Sequence, residues 1–276
     1  MKKILVMILA VALLCTALVS CNGGGGGGTS YSDLAIVELG LPNEYFGIAF
    51  RAGSDMTRKV EDITVDLIKD GLLEELSETY EVAGIMGKAD YTPAADPCEG
   101  SGDWDYIKNK GTLVIGITDY KPMDYKNAQG EWVGFDADYA RAVCEALDVT
   151  PVFKEIEWDF KLESLAAKEI DCIWNGMTID PAIEVAADCT VPYMYNTQVA
   201  VVKKVNADKY KDLASLAGAT IAAESGSAGE KVALAEPSLK DGVKGVTAQT
   251  DALLEVMAGA SDAAIVDLTL AKALIK

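Results

Sequence analysis

The chain has 276 residues, of which 43 are acidic and 24 are basic, and it contains no histidine. The missing imidazole excludes Ser-His-Asp and Cys-His catalysis as well as histidine-ligated zinc or haem. The formal net charge of −19 disfavours a nucleic-acid partner, because the phosphate backbone repels an acidic surface. Half of the residues are hydrophobic, so the chain can bury a sizeable core.

The N-terminus has the pattern of a secretory signal peptide. Two lysines precede an apolar run over residues 4–19, which at about 16 residues is short for a membrane span. Leu18-Val-Ser-Cys21 resembles the lipobox of bacterial lipoproteins, and this resemblance implies cleavage before Cys21 and lipidation of its side chain. We therefore predict a signal peptide over residues 1–20 and, over residues 21–28, a lipidated Cys21 with a glycine tether that holds an extracytoplasmic protein at the cell membrane. An uncleaved N-terminal anchor is the alternative.

Two strands and a long helix are predicted before residue 83. The strands span Leu34–Val37 and Tyr45–Phe50, and the helix opens with Ser54 as its N-cap. Gly71 is predicted to break this helix. Residues 83–103 are rich in Gly, Pro, Ala and Asp, which predicts a linker.

From Gly111 onward, short β-rich runs alternate with helical periodicity, which is typical of βαβ units on a parallel sheet. The alternation occurs twice, with an extended run between the two rounds, and this predicts two α/β lobes. The predicted strands are Thr112–Ile117, Pro151–Ile156, Ile170–Trp174, Gln198–Val202, Ala219–Ala223, Val243–Val246 and Ala263–Val266. The predicted helices are Phe135 to Leu147, Phe160–Ala167, Ser227–Ala235, Asp251–Ala258 and Asp267–Ile275.

Four cysteines lie beyond the predicted lipidation site, at spacings that fit no metal motif. They are Cys98, Cys144, Cys172 and Cys189. Cys144 lies on an apolar helix face and Cys172 in an apolar strand, so burial as small hydrophobic side chains is favoured over a disulfide between them.

Three motifs occur in order along the alternating region: Gly116-Ile-Thr-Asp-Tyr-Lys-Pro-Met-Asp-Tyr125, Gly134-Phe-Asp-Ala-Asp138 and Asp171-Cys-Ile-Trp-Asn-Gly-Met-Thr178. Together they resemble the solute-binding proteins of polar amino-acid ABC transporters, the bacterial extracellular solute-binding protein family 3. The resemblance continues through Asp262-Ala-Ala-Ile-Val-Asp267 to the C-terminus. It implies a periplasmic-binding-protein-like fold of type II, with two α/β lobes joined by two hinge strands. It also implies capture of a small solute by lobe closure and delivery to an ABC permease.

The order of the segments departs from that family. Ser32 to Glu38, Asn43 to Asp55 and the long helix resemble what normally follows the helix after Asp267. The resemblance therefore implies a circular permutant in which residues 83–103 join the original termini, and the alternative is a fragment of a tandem array. The implied hinge strands lie near Tyr195–Val202 and Pro42–Gly47. Lobe 1 is predicted to comprise residues 44–82 plus 104–196, and lobe 2 residues 203–276 plus 29–41.

Ligands of two-lobed α/β proteins bind in the cleft at the carboxyl ends of strands. Asp119 and Tyr120 follow the first strand of the alternating region, and the resemblance implies that the Tyr120 ring covers the ligand. Trp158 follows the second strand and is expected to stack on the opposite side, because aromatic rings suit apolar groups and cations. Packing in the core is the alternative for both rings.

Further candidates follow the third strand, and others lie across the expected cleft in the second lobe. Asn175, Gly176 and Thr178 combine a glycine that lets the backbone approach a ligand with a hydroxyl that can bond a carboxylate. Ser225-Gly-Ser-Ala-Gly229 opens a helix whose N–H groups attract anions, although its spacing does not match a phosphate loop. The candidate residues of this segment are Ser227 and Ala228.

The charges of the expected cleft bear on the ligand. The resemblance implies that Asp267 binds the α-ammonium of the ligand, and capping of the last helix is the alternative. Ile183 stands where family members typically place an arginine for the α-carboxylate, so that group must rely on hydroxyls and helix N–H groups, or the ligand lacks it. Glu224, Asp119 and Asp267 make the cleft negative and favour a cationic ligand such as arginine, lysine or a polyamine-like amine.

We predict a monomeric binding protein without catalytic residues, cofactor or metal site. Its expected partners are a small polar solute, an ABC permease and, through lipid, the membrane. A sensory module whose closure signals to a receptor is one alternative, and a dehydratase-type enzyme on the same fold is another. The sequence shows no pair of nucleophile and base, which disfavours the enzyme.

Overall fold

The computed structural model describes residues 31–87, 91–93 and 102–276. The predicted signal peptide, Cys21, the glycine tether, Cys98 and much of the predicted linker lie outside these residues. Across the described ranges, no helix is both long enough and apolar enough to cross a membrane.

The described residues form thirteen strands and nine α-helices, with short 3-10 turns between some of them. The strands are β1 (Leu34–Glu38), β2 (Glu44–Arg51), β3 (Thr112–Ile117), β4 (Tyr125–Lys126), β5 (Trp132–Val133), β6 (Thr150–Glu155), β7 (Cys172–Thr178), β8 (Ala187–Cys189), β9 (Met194–Asn196), β10 (Gln198–Lys203), β11 (Ile221–Glu224), β12 (Val243–Val246) and β13 (Ala263–Asp267). The helices are α1 (Met56–Lys69), α2 (Leu72–Thr79), α3 (Asp103–Lys110), α4 (Phe135–Leu147), α5 (Lys161–Ala166), α6 (Pro181–Ala186), α7 (Ala228–Ala235), α8 (Gln249–Ala258) and α9 (Leu268–Leu274).

Most strands belong to two sheets, and each sheet carries its own helices. The five-stranded sheet has the order β1-β10-β13-β11-β12, with α7, α8 and α9 packed on it. The six-stranded sheet has the order β6-β3-β7-β2-β8, and β9 pairs with β2. Helices α1 to α6 contact this sheet or one another. In the six-stranded sheet, β3, β6 and β7 run parallel, and in the five-stranded sheet, β11, β12 and β13 run parallel. Parallel neighbours need crossover connections, which the helices supply.

The chain passes between the sheets at two places in the described ranges. The first passage is residues 39–43, between β1 in one sheet and β2 in the other. The second is Thr197, which separates β9 from β10. Because β2 pairs with β9, both passages lie side by side. They fall at the two segments that the resemblance implies as hinge strands.

Some local predictions are wrong in detail. Asp55, not Ser54, occupies the N-cap position of α1, and the Ser54 hydroxyl accepts a hydrogen bond from the Met56 N–H at 3.2 Å. Gly71 does break the helix, with a left-handed φ of 83°. The predicted linker ends inside helix α3, which lacks an apolar stripe because only Asp103 and Ile107 are buried in it.

The described cysteines are free thiols. Cys144 on α4 and Cys172 on β7 are fully buried, and Cys189 on β8 is half-buried. Burial raises the pKa of Cys144 to about 12. The interpretation of Cys144 and Cys172 as buried hydrophobic side chains is confirmed.

Candidate ligand-binding site

A cavity lies between the two sheets. One wall comes from the elements around β6, β7 and α6, and the other from those around β11, α7, α8 and β13. Seven of the ten predicted ligand residues line it. They are Trp158, Asn175, Gly176, Thr178, Ser227, Ala228 and Asp267.

The first wall begins with Trp158, which follows β6 as predicted and is 7% exposed. The ammonium of Lys161, at the start of α5, lies 4.8 Å from the centre of the Trp158 ring. Lys161 Nζ also donates to the Trp158 carbonyl oxygen at 3.1 Å. The ring therefore already stacks with a cation of its own lobe.

Asn175 and Gly176 lie within β7 rather than after it, because this strand runs on to Thr178. The Asn175 amide is used inside the protein: its Oδ1 accepts from the Thr118 N–H and hydroxyl, and its Nδ2 donates to Asp124 Oδ2 at 2.8 Å. Asn175 therefore supports the wall from behind and offers the cavity little hydrogen-bonding capacity.

Gly176 has a left-handed φ of 54°, and a Cβ there would lie 2.7 Å from Tyr120 Cε1. The Gly176 N–H donates to Asp136 Oδ2 at 2.6 Å, and the same oxygen accepts from the Tyr193 hydroxyl at 2.8 Å. Burial raises the pKa of Asp136 to about 7. The motif around Gly134 and the motif around Gly176 thus meet in one buried network beneath the cavity.

Beyond Gly176, the same wall carries Thr178, Asp180 and Ile183. The Thr178 hydroxyl is half-buried and, among the described residues, has no hydrogen-bond partner in the protein. Asp180 caps α6 by accepting from the N–H groups of Ala182 and Ile183. Ile183 is 2% exposed and presents an apolar side chain at the position where the resemblance implies an arginine.

On the second wall, Ser227 is the N-cap of α7 and accepts from the Glu230 N–H at 3.2 Å. Glu230 Oε2 in turn accepts from the Gly226 N–H at 2.8 Å. These bonds resemble a capping box and occupy two of the N–H groups that were expected to attract an anion. The Ala228 N–H at the first helical position remains for a ligand.

Asp267 is the last residue of β13, and its side chain makes no capping bond to α9. Its Oδ1 instead accepts from Asn196 Nδ2 and from Gln198 Nε2, each at 2.6 Å. Its Oδ2 accepts from Gln249 Nε2. Burial raises the pKa of Asp267, and these hydrogen bonds lower it in part. The capping alternative is therefore wrong, and the carboxylate is held at the cavity wall by amides.

A second carboxyl group, Glu44, shares these amides. Glu44 Oε1 accepts from Asn196 Nδ2 and Gln198 Nε2, each at 2.7 Å. Burial and the neighbouring Asp267 raise the pKa of Glu44 to about 8. Because Asn196 and Gln198 flank the passage at Thr197 and Glu44 starts β2, this carboxyl pair lies where the two lobes join.

The two walls touch across the cavity. Lys161 Nζ from the first wall donates to the Gly226 carbonyl oxygen of the second at 3.0 Å. Lys231 on α7 forms an ion pair with Asp180 of the first wall. The structure therefore shows the two walls in contact, as in a closed cleft.

Three predicted ligand residues do not line the cavity. Asp119 is exposed, and its pKa is raised by partial burial and by Glu155, so it lies outside the enclosed space. Tyr120 is 2% exposed and packs behind Gly176, as the core alternative expects. Glu224 is 3% exposed and lies behind the cavity wall. Its pKa is raised by burial and, next, by the charge of Asp267.

The cavity also contains residues that the sequence analysis missed. They are Lys161, Met177, Asp180, Gly226, Lys231 and Gln249. Lys161 lies four residues before the buried Leu165 on the same helical face. A lysine on an apolar helix face could have been singled out from the sequence as a candidate site residue. Gln249 comes shortly after β12, where the rule of strand carboxyl ends would have found it.

The comparisons with known proteins agree with this arrangement. The family model of the bacterial extracellular solute-binding proteins, family 3, matches residues 113–276, which is more than half of the chain. The chain belongs to this family. The resemblance seen in the sequence, the two-lobed α/β fold of type II, and the prediction of a binding protein rather than an enzyme are thereby confirmed.

Among its relatives, the ABC transporter arginine-binding protein 1 of Escherichia coli is 34% identical over 41% of this chain and 45% of its own length. The L-arginine-binding protein of Pseudomonas aeruginosa is 33% identical over 55% of this chain and 60% of its own length. The solved structure of holo ArgBP from T. maritima has a TM-score of 0.58 and 32% identity, covering 61% of this chain and 74% of that one. The chain thus spans less than two thirds of these two curated relatives.

Proposed function

We propose that the protein captures a polar amino acid, preferably a cationic one, between its two lobes. The observation that carries this proposal is the composition of the two walls. One wall offers the Asp267 carboxylate, and the other offers the Trp158 ring and the Thr178 hydroxyl. A ligand with an ammonium group and an apolar stem satisfies both walls at once.

The buried carboxyl groups near the cavity support the same ligand class. Asp267, Glu44 and Glu224 place three buried carboxyl groups at or behind the cavity, where burial raises their pKa values, and a ligand ammonium would stabilise their ionised forms. The two relatives described above are named as arginine-binding proteins, which agrees with a cationic ligand.

A thermal-shift screen of the full-length protein against the twenty L-amino acids, putrescine and spermidine tests the proposal, because a ligand that binds the native state raises Tm by mass action. At 1 mM ligand we expect a shift of several degrees with arginine or lysine and none with aspartate or glutamate. An equal response to acidic and basic amino acids would contradict the proposed charge preference.

We further propose that Cys21 carries lipid and that the loaded protein delivers its solute to an ABC permease. The lipobox pattern of residues 18–21 and the membership of the family support this proposal. Metabolic labelling with a fatty acid is expected to label the protein and to fail for Cys21→Ser. Cys189→Ser is the matched control and is expected to label like the wild type.

We also propose the circular permutation and the lobe boundaries given above. The family match begins at residue 113, yet β1 and β2 before it lie inside the two sheets, with β2 between β7 and β8. Tyr31 and Leu274, near the two ends of the described fold, pack against the same core. A variant that begins at residue 102, joins 276 to 31 through a short glycine linker and ends at residue 87 is expected to unfold with the wild-type Tm. Loss of cooperative unfolding would contradict the permutation.

A further inference from the structure

The cavity lacks the arginine that would hold a ligand α-carboxylate, and the arginines of the chain are committed elsewhere. Arg51 contacts Asp103, and Arg141 contacts Asp138. Arg58 is bonded to Asp62 within α1. In the described ranges, the cations that line the cavity are therefore Lys161 and Lys231.

Lys231 is a poor candidate for a ligand carboxylate. Its side chain is 48% exposed, and its ammonium is paired with Asp180. That aspartate is itself fixed as the cap of α6. A carboxylate that approached Lys231 would have to displace an existing ion pair.

Lys161 is different, because it is 6% exposed and its described partners are two carbonyl oxygens, not a carboxylate. An ammonium has three N–H donors, and the bonds to Trp158 and Gly226 use two of them. Burial, followed by the charge of Lys231, lowers the pKa of Lys161 to about 8. The charges of Glu224, Asp159 and Asp180 offset this only in part, and among the described residues no carboxylate is hydrogen-bonded to the ammonium, so a ligand carboxylate at the cavity would stabilise it further.

We propose that Lys161 binds the α-carboxylate of the ligand and so takes the role of the arginine that Ile183 replaces. The inference rests on the proposed function, since it concerns the same cavity. Lys161 belongs to the first wall and Asp267 to the second. A zwitterionic ligand with its carboxylate at Lys161 and its ammonium at Asp267 bridges the two walls and favours the closed arrangement.

The contact between Lys161 and the Gly226 carbonyl adds a geometric reason. This bond crosses the cavity at 3.0 Å, so the ammonium reaches its bound position only when the walls approach. The carboxylate site is then complete only in the closed state. Ligand binding and closure are coupled through one side chain.

The test compares L-arginine with agmatine, which keeps the guanidinium and the amine but has no carboxylate. Calorimetric titration of the full-length wild-type protein is expected to show L-arginine binding about 10-fold to 100-fold more tightly than agmatine, the range for a charge-assisted hydrogen bond. In Lys161→Met this preference is expected to vanish, because L-arginine loses more affinity than agmatine. Lys154→Met removes an exposed lysine of β6 and is expected to keep the wild-type preference.

The outcomes separate this inference from the proposed function. If Lys161→Met weakens both ligands equally, Lys161 serves only to hold the walls together and the inference is wrong. If the wild-type protein prefers L-histidine to L-arginine, L-histidine is compared with histamine instead. The wild type is again expected to prefer the ligand with the carboxylate, and Lys161→Met to lose this preference. If it binds no amino acid, the proposed function fails and takes this inference with it. Should Lys161→Met lose its cooperative unfolding transition, Lys161→Gln carries the same comparison.

Discussion

The carboxyl pair of Glu44 and Asp267 makes the stability of the protein depend on pH, and Glu44→Gln isolates its effect. The two carboxyl groups share the amide donors of Asn196 and Gln198. A glutamine at position 44 can still accept from both amides through its carbonyl oxygen, so the substitution removes the ionisation while keeping the hydrogen bonds.

The direction of the effect follows from the raised pKa. The Glu44 carboxyl has a pKa of about 8 in the folded protein, against an ordinary value of 4.5. Between these two values the folded state holds a proton that the unfolded state has released, so the free energy of unfolding falls as pH rises. The contribution is fully present below pH 4.5 and is lost as pH rises through 8. A shift of this size corresponds to at most about 5 kcal/mol, and because the proton belongs to the pair we expect about 2–5 kcal/mol.

Urea unfolding at pH 5, 6.5 and 8, followed by tryptophan fluorescence, measures this difference. From pH 5 to pH 8, the free energy of unfolding of the wild type is expected to fall by about 2–3 kcal/mol more than that of Glu44→Gln. Glu38→Gln, which changes an exposed glutamate at the end of β1, is expected to follow the wild type at all three values. Parallel pH curves for Glu44→Gln and the wild type would refute the carboxyl-pair argument.

Three further perturbations test the packing at Gly176, the ion pair of Lys231 with Asp180 and the burial of two cysteines. Gly176→Ala places a Cβ 2.7 Å from the Tyr120 ring at a left-handed φ and is expected to cost about 1–3 kcal/mol in urea unfolding; no measurable loss would contradict the close packing. Lys231→Met breaks a half-exposed ion pair and is expected to change amino-acid affinity less than about fivefold by calorimetry, whereas a larger loss would mean that this pair governs closure. Cys144 and Cys172 are expected to react with iodoacetamide only after unfolding, as mapped by mass spectrometry, because both thiols are buried with raised pKa values. Rapid native labelling of either would show that their burial is wrong.

The repeated βαβ order was readable from the sequence because alternation and helical periodicity are local patterns. Strand β12 has the predicted bounds, and helix α4 buries the predicted face of Phe135, Tyr139 and Val143. The two-residue strands β4 and β5 have no alternation to detect. Helix α3 is too polar to show a stripe.

The sequence predicts a site residue correctly where its role follows from its position at the end of a strand. Trp158 and Asp267 follow from their positions at strand ends, and both line the cavity. Asn175 was expected to face a ligand, but its amide is used by Thr118 and Asp124, more than 50 residues away, and no local pattern reveals such partners. Glu44 was missed for the same reason, because its partners Asn196 and Asp267 come from β9 and β13.

Isothermal titration of the full-length protein with L-arginine at pH 7 and low ionic strength measures whether the cavity between the two lobes binds one cationic amino acid. We expect saturable binding with one site per chain, abolished in Asp267→Ala, since that change removes the carboxylate of the second wall. No saturable heat with L-arginine, L-lysine or L-histidine, in protein that unfolds cooperatively, would contradict this expectation.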